Sequence, residues 1–184
     1  MTTRKLSLSA LALSLIVLLA ACAPSTSTPS KMSGAEAKAS LISILQSSAT
    51  EFQANGGSES ITVDPAKFAV IYDPKAADGR KTVTVDIDNP TAASFAKDAP
   101  LTLPALAAAL QTDLYKDATY SYADGIYKVV TPTTSIDIWT KDGHVTSIAT
   151  TLTSSKATSI VVLGYGLTSG AKTFIDTATS NAAK

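Results

Sequence analysis

Three Asp-Gly dipeptides, at 78–79, 124–125 and 142–143, each stand between runs rich in β-branched and aromatic residues. Asp-Gly supplies the positive φ that both central positions of a type I′ turn demand, and the twist of that turn matches the twist of paired strands. Each dipeptide therefore predicts a tight reversal between strands. Strands joined this way are antiparallel, so a parallel sheet with helical crossovers is excluded for most of the chain.

Around these turns the strand signals are strong. Strands are expected over 59–64, 67–73 and 80–88, and the third alternates cleanly, with Val83, Val85 and Ile87 on one side and Thr82, Thr84 and Asp86 on the other. Such alternation marks an antiparallel sheet with one buried and one wet face. If 124–125 is a two-residue loop, Tyr122 pairs with Tyr127 and Tyr120 with Val129 on one face, leaving Thr119, Ser121, Ile126 and Lys128 on the other. The same reasoning at 142–143 gathers Ile136, Ile138, Val145 and Ala149. It sets Trp139, Ile148 and Leu152 opposite, among Asp137, Lys141, His144 and Thr146. A one-residue slip at either turn inverts these sets. A further strand is expected over 157–165.

Between and around the strands lie helical patterns. Ala37, Leu41, Ile44, Leu45, Ser48 and Phe52 recur at helical spacing and predict a helix over 33–55. Ser33 and Glu36 fit a capping box at its start, and Gly56-Gly57 stops it. The Ala- and Leu-rich stretch after Asn89 predicts short helices over 91–97 and 104–114. Thr102 or Leu103 would cap the second, with Pro104 in its first turn. A closing helix over 171–182 would pack Phe174 and Ile175. The expected class is α+β: an N-terminal helix, a curved antiparallel sheet of about eight strands, two short mid-chain helices and a C-terminal helix.

The first residues obey a different logic. Arg4 and Lys5 precede an apolar run over 6–19, and Leu19-Ala20-Ala21-Cys22 follows. This is the charged, apolar and small-residue layout of a secretory signal. The apolar run, about 14 residues, is too short for the ~20 that span a bilayer. Leu19-Ala20-Ala21-Cys22 resembles the lipobox of bacterial lipoproteins at every position. The resemblance implies cleavage before Cys22, a thioether-linked diacylglycerol on its sulfur and often an acylated amine. Segments 1–21, 22–32 and 33–184 are then signal peptide, lipidated cysteine with a flexible polar tether, and one globular domain. The expected location is extracytoplasmic, held on a membrane through the lipids.

Removing 21 residues leaves 163, enough for one domain with a real core. Cys22 is the only cysteine, so the domain has neither an internal disulfide nor a thiolate metal site. Without Arg4 and Lys5, 13 basic and 15 acidic side chains remain, interspersed along the chain. No basic patch suits nucleic acid.

Catalytic patterns are missing. His144, the sole histidine, flanks a predicted turn, where polar residues are usually just solvated. Asp86-Ile87-Asp88-Asn89 starts like a calcium loop but has Thr91 and Lys97 where glycine and glutamate are needed. Gly164, Gly166 and Gly170 lack the lysine of a phosphate loop. Neither a GxSxG elbow nor an HExxH pair occurs. The expectation is a non-enzyme with no cofactor beyond the lipid on Cys22.

The element order over 33–163, with the hairpin region from Tyr127 to Ile148, resembles the LolA-like and LppX/LprG-like envelope lipoprotein carriers. That resemblance implies an incomplete antiparallel barrel, helices covering an apolar cavity, and carriage of lipid or another amphiphile. Val83, Val85, Ile87, Tyr120, Tyr122, Tyr127 and Trp139 would line the cavity. The same side chains can equally fill a closed core, in which case the domain is an interaction protein that docks on an envelope partner.

Overall fold

The computed structural model describes residues 31–63, 66–76, 82–86, 93–95 and 101–182. In chain order the elements are β1 (Lys31–Ser33), α1 (Gly34–Asn55), β2 (Gly57–Val63), β3 (Ala66–Tyr72), β4 (Thr82–Asp86), β5 (Ala93–Phe95), α2 (Thr102–Ala109), β6 (Thr119–Ala123), β7 (Ile126–Val130), β8 (Thr134–Lys141), β9 (His144–Leu152), β10 (Thr158–Tyr165) and α3 (Ser169–Ala182). The strands form one open antiparallel sheet in the order β1-β6-β7-β8-β9-β10-β2-β3-β4-β5. The class is α+β, and the eight strands expected from the sequence are its body. Two three-residue strands, β1 and β5, close the edges.

The Asp-Gly turns at 124–125 and 142–143 form as expected, with all four residues at φ between 51° and 84°. Across the first, Tyr122 pairs with Tyr127 and Tyr120 with Val129. The dipeptide at 78–79 lies outside the described residues, although β3 and β4 pair antiparallel.

The second hairpin departs from simple alternation. Trp139 pairs with Ser147 but Thr140 pairs with Val145, so Thr146 is an extra residue in β9. A bulge of this kind restores each strand's alternation on a shifted count. Val145 and Ile148 therefore share the buried face, at 0% and 3% exposure. Ile148 thus joins Ile136 and Ile138, and Ala149, expected among them, takes the opposite face beside Asp137.

Three local expectations are corrected. Ser33 makes no side-chain cap to α1, because it is the last residue of β1, extended and paired with Ser121; Gly34, at φ 61°, makes the turn into the helix. Lys31 and Met32, read as the end of the tether, belong to β1, where Met32 is buried and adds to the core. Residues 93–95, read as part of a helix, form β5 against β4; the unpaired hydrogen bonds of an open sheet edge outweigh alanine's helix preference. The following helix begins at Thr102 and ends at Ala109, with a separate 3₁₀ turn at Asp113–Tyr115.

Helix α1 crosses one face of the sheet, touching β1, β6, β9 and β10. Ala37, Leu41, Leu45, Ala49 and Phe52 meet Tyr120, Tyr127, Val129, Ile136, Ile138, Val145 and Ile148 there, and α2 adds Leu103 and Ala107. At the other end of the sheet, Val70 and Ile71 are both buried. Successive strand residues point to opposite faces, so this end is covered on both sides. Helix α3 lies against β4 and β5, with Phe174 and Ile175 half-buried.

Candidate functional site

On α1 the residues just beside the apolar stripe are Ser40, Ser43 and Ser47. Their spacing of three and four places them along one line of the helix. Across from them stand Tyr122 and Tyr127 of the first hairpin and the turn from Thr140 to Gly143. Between helix and hairpins runs a half-open groove of about 520 Å³. That volume suits a small-molecule ligand, but such sites are usually apolar, and this one presents hydroxyls, Lys141 and Asp142.

Its floor is rigid. Tyr127 is 2% exposed, and its phenol shares a 2.6 Å hydrogen bond with the Ser40 hydroxyl. Burial pushes the Tyr127 phenol above its ordinary pKa, against the opposing pull of the Ser40 bond. The phenol therefore keeps its proton at neutral pH. The rings of Tyr122 and Tyr127 lie 4.5 Å apart at 44°.

Further along α1 the polar groups serve the fold. The β9–β10 pairing stops at Ser147, so Val145 lies beyond that ladder. Ser48 Oγ accepts the Val145 N–H at 3.1 Å, and Tyr165 Oη donates to the Val145 carbonyl at 2.7 Å. His144 Nδ1 lies 3.0 Å from Glu51 Oε2, and the two side chains are 40% and 37% exposed. Ser48, His144 and Glu51 have the residue types of a hydrolytic triad. However, Ser48 is fully buried and its oxygen is engaged, so no substrate can reach it as a nucleophile.

Glu59 is a second polar group inside the fold. It is 1% exposed, and its carboxylate accepts the Thr102 N–H and the Thr102 hydroxyl, both at 2.8 Å. Strand β2 thereby caps the first turn of α2, where a negative charge also meets the positive end of the helix dipole. Burial raises the Glu59 pKa above its ordinary value, and the two Thr102 bonds oppose the rise.

The residues singled out in the sequence do not converge on one lining. Tyr122 and Tyr127 line the groove. Tyr120 is buried at 5% beneath α1, with the Lys38 ammonium 5.3 Å from its ring centre. Trp139 lies on the opposite face of the sheet, in a separate hollow with Ile126. Val83 and Val85 pair with Ile71 and Ala69 in β4, five strands from β8, or about 24 Å at 4.8 Å per strand. Ile87 and Cys22 lie outside the described residues. Sequence reasoning passed over Ser40, Ser43, Ser47 and Glu59. The serines did leave a signal, a hydroxyl line flanking the apolar stripe, whereas nothing local marks Glu59 as a cap.

Among the described residues, no cluster of three His, Cys, Asp or Glu side chains is placed to hold a metal ion. No helix among them is long and apolar enough to cross a membrane. Compared with known proteins, the chain matches no family model and no curated protein.

Proposed function

We propose that this chain is a lipid-anchored, extracytoplasmic lipoprotein whose domain, without catalysis, binds an amphiphile by its polar headgroup in the groove between α1 and the β6–β9 hairpins. The observation that carries the reading is the groove itself. Its volume of about 520 Å³ suits a headgroup. Three serine hydroxyls and the Lys141 and Asp142 charges offer donors and acceptors to it, and the Tyr122 ring offers a stacking face. Its polar lining favours a headgroup over an acyl chain, which would gain little from leaving one apolar phase for such walls. The lipobox resemblance at Cys22 supplies the anchor, with the membrane as the standing partner.

Native mass spectrometry of the mature chain carrying Cys22→Ser tests the binding. The expected species carries a lipid mass that is released on activation and is lost in Ser43→Trp, which fills the groove. A bare mass, with no uptake of lipid offered in detergent, would sink the reading. In a parallel culture, palmitate label should enter the wild type and not Cys22→Ser.

The second reading is a surface protein that docks on an envelope partner. Ile160 and Val162, 42% and 51% exposed on the outward side of β10, favour it. Crosslinking in intact cells that enriches one partner through these positions, with no lipid bound, would select it.

A further inference from the structure

The sheet has two unlike ends. The Asp124–Gly125 and Asp142–Gly143 turns stand at one end, because Ile126 pairs with Trp139 at the start of β7 and the end of β8. The turns at 131–133 and 153–157 stand at the other, and they are built of Thr, Ser, Pro, Lys and Ala with no aromatic side chain. Strand β1 begins at the first end, since Lys31 pairs with Ala123. In register, Lys31, Ala123, Ile126 and Trp139 form one row across β1, β6, β7 and β8. Their partners one step inward, Met32 and Tyr127, are buried under α1, so this row faces outward.

We propose that this outward corner, centred on Trp139 and Ile126, is the surface by which the domain rests on the bilayer that holds its anchor. The proposal rests on the anchoring part of the function proposed above. Cys22 precedes Lys31 by nine residues, a reach of at most about 30 Å. Trp139 lies three strand spacings from Lys31, about 14 Å. The corner therefore lies at most about 44 Å from the anchored cysteine, and a domain turned with this face down brings it to the headgroups.

Its chemistry matches that zone. Trp139 is half-buried at the edge of a hollow of about 310 Å³ that Ile126 and Ala123 also line. Indole, with a broad apolar body and one N–H donor, concentrates at the membrane–water interface. Lys31 is exposed at the far end of the same row, about 14 Å away, while Lys128, 52% exposed, is paired with Asp137 at 3.4 Å and Asp124 also lines the hollow. Of the two lysines, Lys31 is the one without an ion pair among the described residues, and a lysine at the rim is drawn to anionic headgroups. Two large apolar side chains fall far short of the ~800 Å² per partner that a stable protein interface buries. For a tethered domain a weak interfacial contact is enough, because the anchor already supplies the local concentration.

Trp139 is the only tryptophan in the chain, so its fluorescence reads this surface alone. The lipidated mature chain is reconstituted in vesicles of phosphatidylcholine and phosphatidylglycerol, with and without bromine on the acyl carbons nearest the glycerol. Flotation of the vesicles reports anchoring independently. The expected result is flotation, blue-shifted emission and a loss of intensity on bromination, as for an interfacial indole. Flotation with emission indifferent to bromine overturns the proposal and leaves the anchor standing. A chain that does not float overturns both. Trp139→Phe with Ser154→Trp moves the probe to an exposed turn at the far end, and it should float unquenched. Equal quenching there would mean that the domain has no preferred face, and would also overturn the proposal.

Discussion

Glu59→Gln is the change that best isolates one physical effect in this fold. Glutamine keeps the shape of the side chain and both Thr102 contacts: its carbonyl oxygen accepts the Thr102 N–H, and its amide donates to the Thr102 hydroxyl oxygen. What it removes is a charge buried at 1% exposure. Burial is the largest influence on the Glu59 carboxyl and raises its pKa, the Thr102 bonds notwithstanding. Between the unfolded value of 4.5 and the raised folded value, the native protein holds more protons than the unfolded chain. The Glu59 contribution is therefore fully present below pH 4.5 and declines as pH climbs through the folded pKa, then levels off. The total decline is about 1.4 kcal/mol for each unit by which burial lifts the pKa. Urea unfolding of wild type and Glu59→Gln from about pH 4 to 8 should show the variant gaining on the wild type by that amount. A wild type that instead gains on the variant as pH rises would refute the reasoning. It would mean that the Thr102 bonds to the carboxylate outweigh its desolvation.

Two further predictions concern the core and the bulge. Phe52, 1% exposed, has its ring centre 6.2 Å from that of Tyr72 and 6.0 Å from that of Tyr165; Phe52→Ala should cost about 3–5 kcal/mol in chemical denaturation. Ser48→Ala leaves the buried Val145 N–H without its acceptor and should cost about 1–3 kcal/mol. Amide exchange should quicken at Val145 first, while unchanged exchange there would refute the assignment.

Much of the architecture was legible because its causes are local. The apolar stripe and Gly56, whose φ of 77° suits a helix stop, set the C-terminal end of α1 at Asn55. Gly57 has a separate duty: a Cβ there would sit 2.5 Å from the Gly164 carbonyl oxygen. In the candidate site, the pairing of Tyr122 with Tyr127 was legible from Asp124-Gly125, because turn type dictates register a few residues on either side. That these tyrosines face a serine line was not, since it depends on the angle at which α1 crosses the sheet.

What the sequence by itself determined is the reversals at 124–125 and 142–143, the antiparallel class and the buried stripe of α1, all decided by turn chemistry and periodicity within a few residues. The tertiary structure alone decided the bulge at Thr146, which exchanges the roles of Ile148 and Ala149. It also decided β5 in place of a helix, and the cap that Glu59 places on Thr102 across 43 residues of chain. These follow from which unpaired backbone groups meet once the sheet has formed. A sequence pattern shows where such groups are left over, and only the assembled fold brings distant partners to them.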